Sequence, residues 1–239
     1  MPRYRRWSWW IVWGLVTLIR PLFCRFQIEG QANLPRYSGA VVASNHNYGP
    51  DYVFLGIASP RELCFMAKSE AFTWNPLLAA LLRAGGVFPV QRGRGDIGAI
   101  DTAVALARAG NLIAMFPEGT RSRSGVLMHG KTGAARIALA AGVPIVPVAI
   151  TNSALVFRRK SWRRPIVTVR FGKPIAWDVD NENGYTVGAD DGEVARTYTD
   201  FVMKEIAHML PVELRGEYAA GLEVTPQASA KMPINAASR

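Results

Sequence analysis

The clearest strand-turn-helix unit of this chain is Ala40-Val41-Val42-Ala43-Ser44-Asn45-His46-Asn47-Tyr48-Gly49-Pro50-Asp51. The apolar residues at its start are typical of a short buried strand. Gly49-Pro50 indicates a turn, and because proline is favoured at the first position of a helix, we expect Asp51 in the first helical turn. His46 then lies on the loop between strand and helix. The unit therefore predicts an α/β fold with functional loops at the strand ends.

The spacing of His46 and Asp51 suits a catalytic pair. A carboxylate that binds one imidazole nitrogen fixes the tautomer and makes the other nitrogen a usable base near neutral pH. The same spacing also arises by chance, with the aspartate capping a helix and the histidine at the surface. The pair alone leaves both interpretations open, so the rest of the chain has to separate them.

Composition limits the class of protein. The chain has 239 residues, of which 49% are hydrophobic, and its formal net charge is +10. This length suits one α/β domain with additions, and the charge indicates an anionic partner: nucleic acid, a membrane surface or a phosphorylated substrate. Cys24 and Cys64 form no disulfide framework, which indicates a reducing compartment.

Residues 1–25 differ from the rest of the chain, since they contain arginines, four tryptophans and no acidic residue. The apolar run 7–19 would form about 20 Å of helix, which is short of the roughly 30 Å hydrocarbon core of a bilayer. Tryptophan favours the headgroup boundary, and arginine favours the anionic cytoplasmic leaflet. We therefore expect a monotopic or peripheral anchor on the cytoplasmic face of the cell membrane. A signal peptide is the alternative, but Arg20-Pro21 stands where a small-residue cleavage site would be needed.

Strands and helices alternate along the remaining chain, which predicts an α/β fold with a mixed, largely parallel sheet flanked by helices. Strands are expected within 26–35, 40–44, 62–67, 87–90, 112–116, 143–150 and 165–171, and helices over 51–57, 75–83, 96–108, 131–141 and 193–210. Pro144 and Pro147 favour an edge or irregular position for their strand. In the last helix we expect Phe201, Ile206 and Leu210 to face the core. The predicted units are the anchoring segment 1–25, the α/β domain 26–223 and a disordered tail 224–239.

Three stretches resemble phosphate-binding motifs. Residues 125–132 match the P-loop pattern, but the nearest predicted strand ends several residues too early. Residues 93–98 match the dinucleotide fingerprint, and a basic glycine loop before a helix can bind phosphate without a dinucleotide. The third stretch is Phe116-Pro117-Glu118-Gly119-Thr120-Arg121-Ser122, where hydroxyl and guanidinium groups follow a strand and suit a phosphate. An ordinary basic turn is the alternative for this last stretch.

Four blocks in order resemble the glycerophospholipid acyltransferase family. They are Asn45-His46 with Asp51, Gly86-Val87-Phe88-Pro89-Val90-Gln91-Arg92, the Pro-Glu-Gly-Thr-Arg turn after Phe116, and Val143-Pro144-Ile145-Val146-Pro147-Val148. The resemblance covers roughly residues 26–172. Pro89 and Gln91 depart from the family's second block, and the phenylalanine that often precedes the lysine at position 131 is absent.

The resemblance implies a reaction and a set of roles. His46 would act as general base on an acceptor hydroxyl and Asp51 would orient it, while the acyl group would come from the thioester of acyl-CoA or an acyl carrier protein. Substrate binding would fall to Arg92, Glu118, Gly119, Thr120, Arg121 and Lys131. Arg92 and Arg121 would hold the phosphate, and Glu118 would orient an arginine or bind a glycerol hydroxyl. The implied acceptor is lysophosphatidic acid, with glycerol 3-phosphate or another lysolipid as alternatives. The resemblance implies no metal, no cofactor and no nucleic acid. It does imply an anionic membrane surface as a partner.

Two other classes of protein fit the sequence less well. A non-catalytic basic protein that binds membranes or nucleic acid would explain the charge and the anchor, but not the ordered blocks. A serine hydrolase would need a Gly-x-Ser-x-Gly elbow, which the sequence lacks. The sequence therefore favours the acyltransferase.

Overall fold

The protein is described by a computed structural model for residues 7–73, 75–90, 97–157, 164–177 and 191–220. The strands in these ranges are β1 (Arg25–Glu29), β2 (Ala40–Ser44), β3 (Leu63–Lys68), β4 (Val87–Val90), β5 (Leu112–Met115), β6 (Ile145–Thr151) and β7 (Ile166–Phe171). The α-helices are α1 (Trp7–Ile19), α2 (Asp51–Ala58), α3 (Pro76–Ala84), α4 (Ile97–Arg108), α5 (Gly133–Ala141), α6 (Ser153–Phe157) and α7 (Asp191–Met209). The predicted tail 224–239 lies outside the described residues.

The strands form one sheet in the order β1-β7-β6-β2-β5-β3-β4. Neighbouring strands are parallel except β6 and β7, which are antiparallel. This confirms the predicted mixed, largely parallel α/β fold. Because β2, β5 and β6 are mutually parallel, their carboxyl ends lie at one edge of the sheet, and the loops that follow them meet there.

Strand β6 contains Pro147 and follows directly after Pro144, but it does not lie at an edge, since its neighbours are β7 and β2. The expected irregularity is present instead. Pairing with the chain beyond β7 is broken between the bridge Ile145–Ile175 and the ladder that begins at Val148. Pro147 lies in this gap, where its carbonyl accepts a hydrogen bond from the amide of Gly172. An internal strand tolerates the proline here because regular pairing is already interrupted.

Helices cover both faces of the sheet. Apolar side chains of α4, α5 and α7 pack on one face, and those of α1 and α2 pack on the other. Ile206 of α7 and Leu210, which directly follows the helix, are buried as predicted, but Phe201 of α7 is 49% exposed. Its neighbours Val202 and Met203 take the inward face of the helix, so the prediction for Phe201 was wrong by about one helical step.

Helix α1 belongs to the packed core. Trp9 and Trp13 are buried against the sheet face that carries α2, and Gly56 of α2 leaves room for the Trp13 ring. The expectation that all four tryptophans sit at a headgroup boundary is therefore corrected, because a four-residue spacing turns two of them inward. The opposite face of α1 is apolar and exposed, at Trp7, Trp10, Ile11, Leu15 and Leu18. Across the described ranges, none of the helices has the length and apolar character needed to cross a bilayer.

Candidate active site

The strand end of β2 places His46. The last residue before it, Asn45, is buried and uses its carboxamide like a strand backbone: Nδ2 donates to the carbonyl of Ile150 at 2.9 Å, and Oδ1 accepts from the amide of Ile150 at 2.7 Å. These two bonds fasten the end of β2 to β6. The chain then turns through Gly49-Pro50 and enters α2 at Asp51, as predicted.

The structure brings His46 and Asp51 together. Nδ1 of His46 lies 3.0 Å from Oδ2 of Asp51, whose side chain is fully buried, while the imidazole is 15% exposed. The same carboxylate oxygen accepts the amide of Tyr48 at 2.7 Å, which fixes its position. Because a carboxylate accepts the hydrogen on Nδ1, the other ring nitrogen, Nε2, carries the lone pair.

Phe116 fixes the plane of the imidazole. The two rings are stacked with their centroids 4.1 Å apart and their planes 17° from parallel. Ring stacking together with the bond to Asp51 restrains both torsions of the His46 side chain. The sequence placed Phe116 in the third block but gave no signal for this contact, which depends on β5 lying beside β2 in the sheet.

The loop that follows β5 holds the backbone of His46. The amide of His46 donates to Oε1 of Glu118 at 2.6 Å, and the carbonyl of His46 accepts from the amide of Ser122 at 2.8 Å. Oε2 of Glu118 accepts the amide of Met128 at 3.1 Å. Burial raises the pKa of Glu118 to about 7, although the two amide bonds favour its charged form.

The predicted phosphate-binding residues lie around this loop. Arg121 reaches the turn between His46 and Asp51, which we call the dyad, since a Cβ on Gly49 would lie 3.4 Å from Nη1 of Arg121. The side chain of Lys131 lies over Gly119, which has φ of 71°, and a Cβ added at Gly119 would lie 3.0 Å from Cδ and Nζ of Lys131. Thr120, Arg121 and Lys131 are all exposed. The structure thus brings two cations to the edge of the sheet that carries the dyad.

Two predicted substrate-binding residues, Arg92 and Glu118, are not among those that the structure shows to be exposed on this loop. Arg92 lies outside the described residues. Glu118 is 2% exposed and its two oxygens accept backbone amides, so its surroundings are protein rather than open solvent. Its assignment to substrate binding, like that of Arg121 and Lys131, stays a prediction.

The P-loop match of residues 125–132 lies in an irregular loop well after the end of β5 at Met115. Gly130 packs against α7, where an added Cβ would lie 2.8 Å from Sδ of Met203. A strand does not lead into the first glycine, so the arrangement that a P-loop requires is not formed. Within the described part of the chain, no three His, Cys, Asp or Glu side chains are grouped so as to hold a metal ion.

A buried carboxylate, an oriented imidazole and a cationic loop at the end of a parallel sheet define a site suited to proton transfer from a hydroxyl beside an anion. A family model described as Acyltransferase matches residues 25–151, which is more than half of the chain. The protein therefore belongs to the acyltransferase family.

Several characterised proteins are similar to this chain. The 1-acyl-sn-glycerol-3-phosphate acyltransferase of Limnanthes douglasii is 33% identical over 183 residues, covering 73% of this chain and 63% of that protein. The protein of the same description from Bacillus subtilis (strain 168) is 34% identical over 124 residues, covering 52% of this chain and 61% of that protein. The chain thus spans somewhat under two thirds of the length of these relatives.

A solved structure has a similar fold. The crystal structure of the 1-acyl-sn-glycerophosphate (LPA) acyltransferase PlsC from Thermotoga maritima superposes with a TM-score of 0.62. It is 22% identical in sequence and the match covers 80% of this chain and 75% of that one. This likeness supports the sheet topology described above.

Proposed function

We propose that the protein transfers a fatty acyl group from a thioester to the free hydroxyl of lysophosphatidic acid, giving phosphatidic acid. The observation that carries the proposal is the 3.0 Å contact between Nδ1 of His46 and the buried carboxylate of Asp51. It orients Nε2 as a base beside cationic residues that suit a phosphate. Membership of the acyltransferase family and the names of the relatives support the same reaction.

The reaction follows from this geometry. Nε2 of His46 takes the proton of the acceptor hydroxyl as its oxygen attacks the thioester carbonyl, and Asp51 stabilises the imidazolium that forms. The tetrahedral intermediate then collapses, the carbon–sulfur bond breaks, and the leaving thiolate takes the proton from His46. The histidine returns to its starting form, so the chain's own residues complete the cycle without a metal or cofactor.

The cationic residues would hold the acceptor. Arg121 lies at the turn between His46 and Asp51, so a phosphate bound there would leave the glycerol hydroxyl within reach of the base. Lys131 and Thr120 add a second cation and a hydroxyl on the same loop. Arg92 is the further candidate from the sequence. The donor is proposed to be acyl-CoA or an acyl carrier protein.

The outer face of α1 suits a membrane surface. Leu18 is 77% exposed, and it shares this face with Trp10, Ile11 and Leu15. Helix α3 packs beside α1 through the hydrogen bond from Ser8 to the carbonyl of Ala84, and exposes Leu77 and Leu81. Exposed apolar faces of this kind mark interaction surfaces, and a lipid acceptor requires the enzyme at a bilayer. We propose peripheral binding to the cytoplasmic leaflet.

The direct test is release of free thiol by the purified full-length chain on anionic vesicles. Palmitoyl-CoA and palmitoyl acyl carrier protein are each crossed with lysophosphatidic acid, glycerol 3-phosphate and lysophosphatidylcholine, and products are identified by mass spectrometry. We expect thiol release and phosphatidic acid only with lysophosphatidic acid. Release with glycerol 3-phosphate alone would move the proposal to that acceptor, and an intact thioester under every condition would contradict acyl transfer.

The catalytic assignment is tested in the same assay. His46→Ala and Asp51→Asn should each lower kcat by about 10²- to 10⁴-fold, because the base or its orientation is lost. Both variants should still bind vesicles, since neither residue lies on the outer face of α1. A His46→Ala variant with turnover within a few-fold of the wild type would show that His46 is not the base.

A further inference from the structure

Glu118 lies beneath the dyad loop and is nearly closed off from solvent, with 2% exposure. We propose that Glu118 is a positioning residue, which sets the place of the base by holding the His46 backbone, and is not a ligand of the acceptor. The inference rests on the proposed acyl transfer, because it assigns Glu118 a part in the same reaction. Its role would be exerted through His46 rather than on the substrate.

The peptide groups of His46 are held from two directions. Oε1 of Glu118 accepts the amide at 2.6 Å, and the amide of Ser122 donates to the carbonyl at 2.8 Å. Immediately before it, Asn45 is fastened to β6 through both ends of its carboxamide. With the backbone fixed in this way, the stacked and hydrogen-bonded ring has one accessible position for Nε2.

A carboxylate suits this task better than any other side chain of its length. When Glu118 is ionised both of its oxygens are acceptors, so one group can bind the amides of His46 and Met128 together. Glutamine offers one acceptor, and its amide group would face the second N–H as a donor. A negative charge is also a poor ligand for a phosphorylated acceptor, whereas the exposed Arg121 and Lys131 suit that role.

The second bond of Glu118 extends the same frame to the loop. Oε2 binds Met128 at the far side of the loop that carries Arg121, and the amide of Lys131 donates to the carbonyl of Pro117 at 2.7 Å. The base and the cationic residues are therefore attached to one rigid unit. A displacement of 1 Å in such a unit can lower a rate by about 10²-fold.

The test compares Glu118→Gln with Glu29→Gln. Glu29 lies on the edge strand β1, away from the site, and its charge is paired with Arg170 of β7. Rates are measured with lysophosphatidic acid and scaled to the folded fraction. A positioning role predicts that Glu118→Gln lowers kcat by about 10- to 100-fold while the acceptor KM changes less than threefold. Glu29→Gln should leave both constants near wild type. A tenfold rise in acceptor KM with kcat retained would overturn the proposal and restore the substrate contact.

A spectroscopic measurement separates positioning from general damage. The proton on Nδ1 of His46, bound to Asp51, is followed by NMR in both variants. We expect Glu118→Gln to move or broaden this signal while the buried Trp9 and Trp13 indole signals stay in place, and an unchanged Nδ1 signal would overturn the proposal. If Glu118→Gln does not fold, amide hydrogen exchange is measured in the wild type. The proposal requires slow exchange of both the His46 and the Met128 amide, and fast exchange of either would overturn it. A wild type with protected amides but no thioester turnover would instead refute the proposed function alone.

Discussion

At the scale of single residues, the site is a set of backbone attachments that converge on one imidazole. Asp51 binds the ring, Phe116 stacks on it, and Glu118 and Ser122 hold its peptide groups. The residues expected to meet the substrate are different ones, since Arg121 and Lys131 are exposed whereas Asp51 and Glu118 are buried. Burial therefore separates the groups that place the base from the groups that would bind the acceptor.

Substitution of Arg121 should affect binding of the acceptor. Arg121→Ala removes a guanidinium beside Gly49, and we expect the KM for lysophosphatidic acid to rise by at least tenfold, because charge-assisted contacts to phosphate are worth about 1.5–3 kcal/mol. The KM for the acyl donor should stay close to wild type. Steady-state kinetics with each substrate varied in turn make the comparison, and an unchanged acceptor KM would count against the phosphate role.

The buried carboxyl of Glu118 should make stability depend on pH. Its pKa is raised from 4.5 to about 7, chiefly by burial, so between these values the folded chain holds a proton that the unfolded chain releases. The free energy of unfolding should therefore fall as pH rises from about 4.5 to about 7, by roughly 3 kcal/mol in the limit, and level off above.

Urea unfolding of the wild type and of Glu118→Gln across this range isolates the effect. The difference between their unfolding free energies should slope with pH, since glutamine does not titrate. A difference that stays constant from pH 4.5 to pH 7 would assign the slope to other groups.

At the scale of elements, the contact between α1 and α2 is the least ordinary. Gly56 lies under Trp13, and an added Cβ would be 2.5 Å from Cζ2 and 2.7 Å from Cζ3 of its ring. The absence of a side chain at Gly56 thus determines how closely the first helix approaches the helix that begins with Asp51. A glycine inside a helix is otherwise unfavourable by about 1 kcal/mol. The space that Gly56 leaves for Trp13 offsets this cost.

A pair of identical substitutions tests this contact. Gly56→Ala should lower the free energy of unfolding by about 1–3 kcal/mol through overpacking against Trp13. Gly14→Ala, in the exposed part of α1 where nothing lies within 4 Å of the new carbon, should leave it unchanged or raise it by up to about 1 kcal/mol. Urea unfolding followed by tryptophan fluorescence gives both values, and equal effects of the two substitutions would refute the packing role.

The elements also show what a single sequence can and cannot predict. The strand at 40–44 and the start of α2 at Asp51 were predicted from apolar runs and from proline and glycine, which act locally. The internal position of β6 was not predicted, because it depends on which strands pair. Pro147 is tolerated there only because the pairing of β6 with the segment that follows β7 is interrupted. Likewise the role of Phe116 follows from the pairing of β2 with β5, which no local pattern encodes.

The candidate site was predicted in the same uneven way. The spacing and the ordered blocks predict that His46 and Asp51 form a pair, and the structure brings the two side chains into contact. The backbone contacts of Glu118 could not be found, since a glutamate in a basic turn reads as a surface residue until its burial is known. The two inward tryptophans were missed for a related reason: a helix with apolar residues all round gives no indication of which side meets the protein.

At the scale of the whole molecule, the two faces of the sheet have different surroundings. The exposed positions of α4, α5 and α7 are mostly polar, with Phe201 an exception, whereas the face with α1 and α2 ends in the exposed apolar side of α1. The edge of the sheet that carries His46 lies between these faces, at the carboxyl ends of β2 and β5. Binding to a bilayer through α1 would therefore hold this edge at a constant height above the lipid.

Charge at the outer face of α1 should weaken binding to vesicles. Leu18→Asp removes about 2 kcal/mol of apolar burial and adds a carboxylate, so affinity for anionic vesicles should fall at least tenfold. Phe201→Asp provides the matched control, since Phe201 is also exposed but lies on α7 across the sheet. Sedimentation with vesicles measures both, and equal losses for the two variants would exclude α1 as the specific contact.

The inward tryptophans of α1 have a practical consequence for anyone who wishes to remove the exposed apolar face of this helix. Deleting the first helix would uncover Phe54 and Leu55 of α2 together with the sheet face beneath them, and the shortened chain should aggregate. A form with a less apolar surface is better obtained by replacing Leu15 and Leu18 with polar residues while keeping Trp9 and Trp13. The outer face of the helix can change, but the domain cannot lose the helix.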